Sequence, residues 1–371
     1  MRYLLLTPYT YPYFDGSGLN ALTLAHQLKL DGNSASVLTY HLNKEHAKNQ
    51  IVNDVALYRI SWGFSAIFSY ISFLLKTDVL IIFGENIYAF EFVIKLAKLM
   101  GKKVVYRSTK LDVDDISSLV EKKSKTKNAL SKIDFYYSLH KEFTKRYTDV
   151  FTGSGKILQL SPGVNTDTYK PNDNFQNDVR QKLNINDSQK VLLFVGATTQ
   201  ETGFDNLIKQ LAKADFDFLL LVIGEQHITK NHPLFDFQAE IEELTALGKN
   251  TLKEKIQFVE ATHHIMPYYQ AADIVLVNSK TSNFPNVLLE AMACGKPVVC
   301  NKFIGLDKDT IRNNHNAFVC STPHEISEYI SRIINSEKIG INLGKNARKT
   351  VEQNHDIKKV AKELSTKLNA S

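Results

Sequence analysis

Cysteine is scarce in this chain: Cys294, Cys300 and Cys320 are the three among 371 residues, and no two form a CxxC pair. That spacing argues against a disulfide framework and a zinc ribbon, and fits a reducing compartment. Long apolar runs are missing too. The longest uncharged one, Ser61 to Leu75, contains four serines and falls short of the roughly 18–20 residues that span a bilayer. The opening MRYLLLTPYT has only three consecutive leucines before a Thr-Pro, too short a run for a signal peptide, and reads as a first strand. No GxGxxG follows an early strand, only DGSG, which disfavours a nicotinamide dehydrogenase. With 17 Gly, 9 Pro, no short-period repeat and no low-complexity tract, disordered, collagen-like and coiled-coil chains are poor descriptions.

What is present is a core-forming composition, 43% hydrophobic and 23% charged, at a length that suggests two or three domains of roughly 100–200 residues each. The formal net charge is +6, but it is unevenly placed. Residues 1–165 carry 21 Lys+Arg against 14 Asp+Glu, and the remainder 24 against 25. The excess belongs to the first half, much of it in 122–146, a stretch suited to anionic lipid headgroups, to a phosphorylated acceptor or simply to a solvated helix face. No nucleic-acid partner is expected.

Short β-branched or leucine-rich runs alternate with longer helical patterns, the mark of α/β units on a parallel sheet. Strands are predicted at Tyr3–Thr7, Ala35–Tyr40, Val55–Ile60, Val79–Phe83, Lys103–Arg107, Phe135–Ser138 and Lys156–Leu160. The pattern restarts at Val191–Val195 and continues with Phe218–Ile223, Ile256–Phe258, Ile274–Val277, Pro297–Cys300 and Ala317–Val319. Helices are predicted between them, for example over Gly18–Asp31 and Tyr88–Met100. The turn-rich stretch from Pro162 to Asp173 separates the two series. Two doubly wound domains facing each other would bring the carboxyl ends of both sheets to one cleft, where such sheets bind ligands. The aromatic run Trp62 to Leu75 has two readings, a helix buried on the sheet or a face that docks on a bilayer.

The most specific segment runs from Asn278 to Val299, NSKTSNFPNVLLEAMACGKPVV. A loop ends at Phe284-Pro285, a helix starts near Asn286, Gly295 stops it and Pro297 opens the next strand. Free N–H groups at that helix start suit a phosphate or sugar oxygens, and Glu290, one turn further in, suits a ribose diol. Here the sequence resembles the retaining glycosyltransferases of the GT-B fold, particularly family 4, whose signature ends in FPNVLLEAMACGKPVV. LTPYTYPYFDGSGLNALTLAHQL resembles that family's glycine-bearing first loop and helix, and SPGVN (161–165) its "NGVD" turn. Phe194-Val195-Gly196, Val222-Ile223-Gly224 and the tract from Tyr268 to Asp273 stand at the family's intervals.

The resemblance implies an α/β GT-B architecture of two Rossmann-like doubly wound parallel-sheet domains facing across a cleft. Residues 1–168 would bind acceptor, 169–350 the nucleotide-sugar, and 351–371 would return as a helix to the first domain. It implies transfer of a sugar from a nucleotide-sugar donor to a glycan or lipid-linked glycan acceptor, with retention, without metal or cofactor. The setting would be surface polysaccharide or glycolipid synthesis in the cytoplasm, at the inner face of the membrane, with peripheral contact through the basic N-terminal domain. Gly16 and Gly18 would let the first loop approach the donor phosphates, Gly196 and Gly224 would border the donor, and Phe284, Pro285, Asn286 and Val287 would present amides to the sugar or phosphate.

Three groups of the family pattern are replaced. Ser282 stands eight positions before Glu290, where a first glutamate belongs, and offers a hydroxyl to the sugar. Ala197 and Thr202 replace the Arg and Lys that meet the diphosphate, and Ser108-Thr109-Lys110 replaces the acceptor-side "VHD". One such group can be worth about 3–4 kcal/mol of barrier. The chain is therefore a divergent enzyme with relocated groups or a catalytically silent homologue that binds sugar or a partner enzyme as a scaffold. A nucleotide-sugar epimerase of similar fold is a third reading. The relocated groups would be Lys280 at the diphosphate, Arg107 at a diphosphate or acidic sugar, Asp112 as the base toward the acceptor, and the Thr198 and Thr199 hydroxyls at phosphate. Their plain alternatives are an exposed loop lysine, a salt bridge from Arg107 to Asp112 or Asp114, and an ordinary turn.

Overall fold

The computed structural model describes residues 1–84, 86–152, 156–172, 174–186, 188–280, 285–306 and 310–370, with backbone alone over 174–177. The chain divides into two compact units, residues 1–163 with 231–233 and 357–371, and residues 164–230 with 234–356. The expected limits were 168 and 350. The observed ones follow the hydrogen bonding, because Val164 N–H donates to His355 O at 2.9 Å and both residues fall in the second unit.

The first unit holds eight strands: β1 (Arg2–Leu6), β2 (Ser34–Tyr40), β3 (Asn49–Val52), β4 (Val55–Ile60), β5 (Val79–Phe83), β6 (Lys103–Arg107), β7 (Phe135–Ser138) and β8 (Ile157–Gln159). They lie in the order β3-β4-β2-β1-β5-β6-β7-β8. All neighbours are parallel except β3 and β4. Val79, Leu80, Ile81, Ile82 and Phe83 are all buried, as a central strand covered by helices on both faces requires. Right-handed crossovers put helices on one face when the chain steps one way along the sheet and on the other when it steps back. Accordingly helix Gly16–Leu30 packs with helix Ile357–Asn369, while helix Phe90–Leu99 packs between Ser65–Leu75 and Ser124–Leu130. The step direction reverses at β1 and β5.

β3 is absent from the sequence expectation. It has four residues with alternate exposure at the sheet edge, joined to β4 by Asn53-Asp54 with φ of 47° and 61°, the left-handed pair of a two-residue hairpin. The reading of Trp62 to Leu75 as a helix packed on the sheet holds for one face only. Helix Ser65–Leu75 buries Ala66, Tyr70 and Leu74 but exposes Phe68, Ile71 and Leu75, with Phe64 exposed at its start. Among the described residues no helix is long and apolar enough to cross a membrane.

The second unit is a six-stranded parallel sheet: β9 (Val191–Val195), β10 (Leu219–Gly224), β11 (Ile256–Glu260), β12 (Ile274–Val277), β13 (Val298–Asn301) and β14 (Phe318–Cys320). Its order is β11-β10-β9-β12-β13-β14. Side chains alternate between faces: Val191 and Leu193 enter one apolar cluster, Leu192 and Phe194 the other. The order reverses between β9 and β12, and in open α/β sheets that crevice at the carboxyl ends is the ligand position.

Candidate functional site

Two glycines mark that crevice. Gly196, directly after β9, has φ of +142°, a conformation that only glycine adopts readily, and its N–H donates to Ile223 O at 2.8 Å. Gly224 ends β10, where an added Cβ would fall 2.2 Å from Gly196 O. The two backbones therefore touch, and no side chain fits at Gly224.

The loop after Gly196 satisfies its own polar groups. The Thr202 hydroxyl lies 2.8 Å from Ala197 O and 2.9 Å from Thr199 O as a shared donor, and Thr199 N–H donates back to Thr202 Oγ1 at 3.2 Å. Thr198 is turned inward, its hydroxyl set between Ile241 O at 3.2 Å and Thr245 Oγ1 at 3.0 Å. Thr198 therefore anchors the loop on helix Gln238–Leu252 and does not offer its hydroxyl to a phosphate. Thr199 likewise spends its hydroxyl on the turn.

The loop after β12 lies against this one. Asn278 Nδ2 donates to Gly203 O at 2.5 Å, Lys280 N–H donates to Glu201 O at 2.9 Å, and Asn301 at the end of β13 clamps Ser279 through both amide atoms. Lys280 Nζ is 2.9 Å from Asp205 Oδ1 and partly exposed. The alternative of an exposed loop lysine holds, with the ammonium paired to Asp205. Helix Asn286–Ala293 follows Pro285, whose φ of −70° and ψ of 128° are extended and whose ring offers no side-chain cap. Asn286 and Val287 are half-buried, and the helix start carries partial positive charge. Gly295, at φ +69°, ends the helix, and Lys296 N–H reaches back to Ala291 O at 3.0 Å, the bond of a glycine-terminated helix. Ser282 and Phe284 lie outside the described residues.

Glu290 is held inside the unit. The Tyr269 hydroxyl donates to Glu290 Oε2 at 2.7 Å, and Tyr169 is a second hydroxyl donor. Burial pushes the Glu290 carboxyl above the ordinary value, an effect the two tyrosines partly offset. Burial and the facing carboxylate hold both phenols far above 10, so they remain donors. Neither tyrosine was among the expected site residues; the only sequence signal was the aromatic pair Tyr268-Tyr269. Cys294, beside this group, has its thiol pushed up to about 12 by burial.

In the first unit the expected residues behave differently. Gly18 makes room for the protein's own chain, because a Cβ there would fall 2.1 Å from Tyr9 O and 2.7 Å from Thr10 Cα. The helix that starts at Gly16 is already capped by Asp15, which accepts Gly18 N–H at 2.7 Å. Gly18 thus serves the packing of the first loop on its own helix. Asp112, at φ +60°, carries an exposed carboxylate paired to Arg146 at 2.8 Å. Asp114 accepts the Thr109 and Lys110 N–H groups, both at 2.8 Å, and Asp115 caps Ser118. Arg107 does not form the expected salt bridge. Its guanidinium lies over the rings of Phe83 and Tyr137. Among the described residues no three His, Cys, Asp or Glu side chains gather as a metal site.

This pair of parallel-sheet α/β units is the GT-B fold of glycosyltransferases. All of this chain superposes on 98% of the sucrose-phosphate synthase of Thermosynechococcus elongatus with a TM-score of 0.81 and 18% identity. All of it likewise superposes on the whole of Anabaena HepE, solved in complex with UDP-glucose, with a TM-score of 0.80 and 18% identity. Residues 175–350 match the family Glycosyl transferases group 1. It is 28% identical to an uncharacterized glycosyltransferase of Methanocaldococcus jannaschii over 42% of this chain and 41% of the relative. It is 26% identical to the lipopolysaccharide 1,2-N-acetylglucosaminetransferase of Salmonella typhimurium over 53% and 52%. The chain thus spans about half the length of the curated relatives it matches.

Proposed function

We propose that the second unit binds a nucleotide-sugar donor at the β9–β12 edge and that its sugar passes to a glycan or lipid-linked acceptor held by the first unit. The observation that carries this reading is the start of helix Asn286–Ala293 at the same sheet edge as the touching Gly196 and Gly224, inside the region that matches group 1 glycosyltransferases. Amides of Asn286 and Val287 then meet the diphosphate, while Pro285 has no N–H to give and Leu288 N–H already donates to Pro285 O at 3.1 Å. Lys280 exchanges Asp205 for a phosphate oxygen. Glu290, oriented by Tyr169 and Tyr269, keeps acceptor capacity for the ribose diol.

With Asp112 committed to Arg146, the leaving phosphate takes the acceptor's proton, and transfer is front-face with retention and without metal. The UDP-glucose complex of HepE supports a uridine nucleotide, and the name of the Salmonella relative supports a lipopolysaccharide-type acceptor. Calorimetric titration of a nucleotide panel, followed by transfer assays with lipid-linked acceptors, tests the proposal. Binding and transfer are expected, and absence of both across the panel overturns it.

The self-satisfied 197–203 loop favours a second reading, a silent homologue that serves as a scaffold, because it offers no cation at Ala197 or Thr202. A melting temperature that no nucleotide shifts would favour that reading.

A further inference from the structure

Arg107 is the largest side chain fully buried in the molecule, at 2% exposure. It ends β6, in register with Phe83 of β5 and Tyr137 of β7, so the three side chains stand in one row on one face of the sheet. The centre of the guanidinium lies 4.7 Å from the Phe83 ring centroid and 5.1 Å from that of Tyr137. Neither ring brings a negative charge. Nε is buried with no hydrogen-bond partner, and no ion pair or side-chain hydrogen bond joins Arg107 to any described residue.

The nearby carboxylates are already used. Asp114 takes the Thr109 N–H at 2.8 Å, the Thr109 hydroxyl at 2.5 Å and the Lys110 N–H at 2.8 Å, and Asp112 is bound to Arg146. The charge of Asp114 acts on Arg107 with no hydrogen bond between them, and a buried guanidinium whose Nε is left unsatisfied carries a cost that an apolar side chain of similar length would avoid. The position is also that of a ligand. Arg107 stands at the carboxyl edge of a parallel sheet, one strand from the β1–β5 reversal. In the loop after β1, at the same edge, Thr10 Oγ1 is likewise buried without a partner.

We infer that Arg107 binds an oxyanion, a carboxylate or a phosphate, on the ligand of the first unit. The two rings hold the guanidinium flat, and its planar fork of N–H donors then matches two oxygens at once. Tyr137 is itself fixed, its hydroxyl donating to Ser161 O at 2.5 Å. The anion site stands apart from the transferase reading, and only the naming of its ligand as an acidic acceptor rests on that reading.

The test is the melting temperature of the full chain titrated with inorganic phosphate, with glucuronate and with uncharged glucose, at matched ionic strength, with and without UDP. One or both anions are expected to raise it saturably, under both UDP conditions, while glucose does not. Phosphate alone identifies a phosphorylated ligand, and glucuronate alone an acidic sugar. Arg107→Met, which keeps the length between the rings, is expected to weaken the response at least tenfold, and Arg107→Lys to retain part of it. An anion response absent from the wild type, or equal in Arg107→Met, overturns the inference and leaves the guanidinium a filler between rings. Should Arg107→Met fail to fold, a wild-type midpoint in Arg107→Lys overturns it instead. Loss of the UDP response with the anion response intact would sink the transferase proposal alone.

Discussion

The hydroxyl of Tyr269 donates to Glu290 Oε2 across 2.7 Å, from a ring that is wholly buried. Burial raises the Glu290 carboxyl from its ordinary 4.5. Between that value and the raised one the native state holds a proton that the unfolded chain has released, so stability falls as pH rises through the window. Glu290→Gln is expected to flatten this slope in urea unfolding measured from pH 4 to 7. Tyr269→Phe, which removes a donor from a buried carboxylate, is expected to cost about 1–3 kcal/mol. A Glu290→Gln profile parallel to the wild type would contradict the assignment.

Gly224→Ala places a methyl group 2.2 Å from Gly196 O, where backbone and not a flexible side chain must yield. A loss of about 1–3 kcal/mol is expected, together with weaker nucleotide binding because the β9 loop is displaced. Unfolding and calorimetry on one preparation check both effects, and an unchanged nucleotide affinity would separate the glycine contact from the donor site.

Lys280 and Asp205 are both partly accessible, so their ion pair contributes little to folding, about 0–1 kcal/mol. Lys280→Met is expected to leave the urea midpoint nearly unchanged and to weaken nucleoside diphosphate binding about tenfold, in line with loss of a charged hydrogen bond of about 1.5–3 kcal/mol. Asp205→Asn frees the ammonium and is expected to tighten binding. Equal affinities in all three proteins would return Lys280 to a purely structural part.

Phe68, Ile71 and Leu75 are exposed on helix Ser65–Leu75, and Phe92 and Leu99 on the adjoining helix Phe90–Leu99. Lys76, Lys95, Lys123 and Lys125 are exposed on these helices or next to them, and Thr126 anchors helix Ser124–Leu130 to Glu91 at 2.8 Å. Apolar side chains among lysines suit an anionic bilayer. Phe68→Ser with Leu75→Ser is expected to reduce co-sedimentation with phosphatidylglycerol vesicles at least tenfold, since burying each such side chain is worth about 1.5–3 kcal/mol, while the melting temperature stays level or rises. Unaltered co-sedimentation would remove this face from the membrane proposal.

Sequence periodicity carried most of the fold, because strands buried on both faces, such as Val79–Phe83, announce themselves as unbroken apolar runs. β3 escaped because an edge strand of four half-exposed residues has no such run, although Asn53-Asp54 was a legible hairpin turn. At the site, the helix start at Asn286 and the glycines could be read from local chemistry. What those groups touch could not. Glu290 meets Tyr269 from 21 positions away, Asp112 meets Arg146 from 34, and Lys280 meets Asp205 from 75. Arg107 acquires its two rings through strand register, which no local pattern specifies. The Thr198 hydroxyl looked available in a polar turn, and tertiary packing on Ile241 and Thr245 took it.

Hydrogen exchange of the full chain with and without UDP tests the central claim most directly. The account predicts slowed exchange at the amides of residues 286 and 287 and across 196–203, where the diphosphate is to rest. Binding of UDP that leaves those amides unprotected, or protects another edge of the second unit, would contradict it.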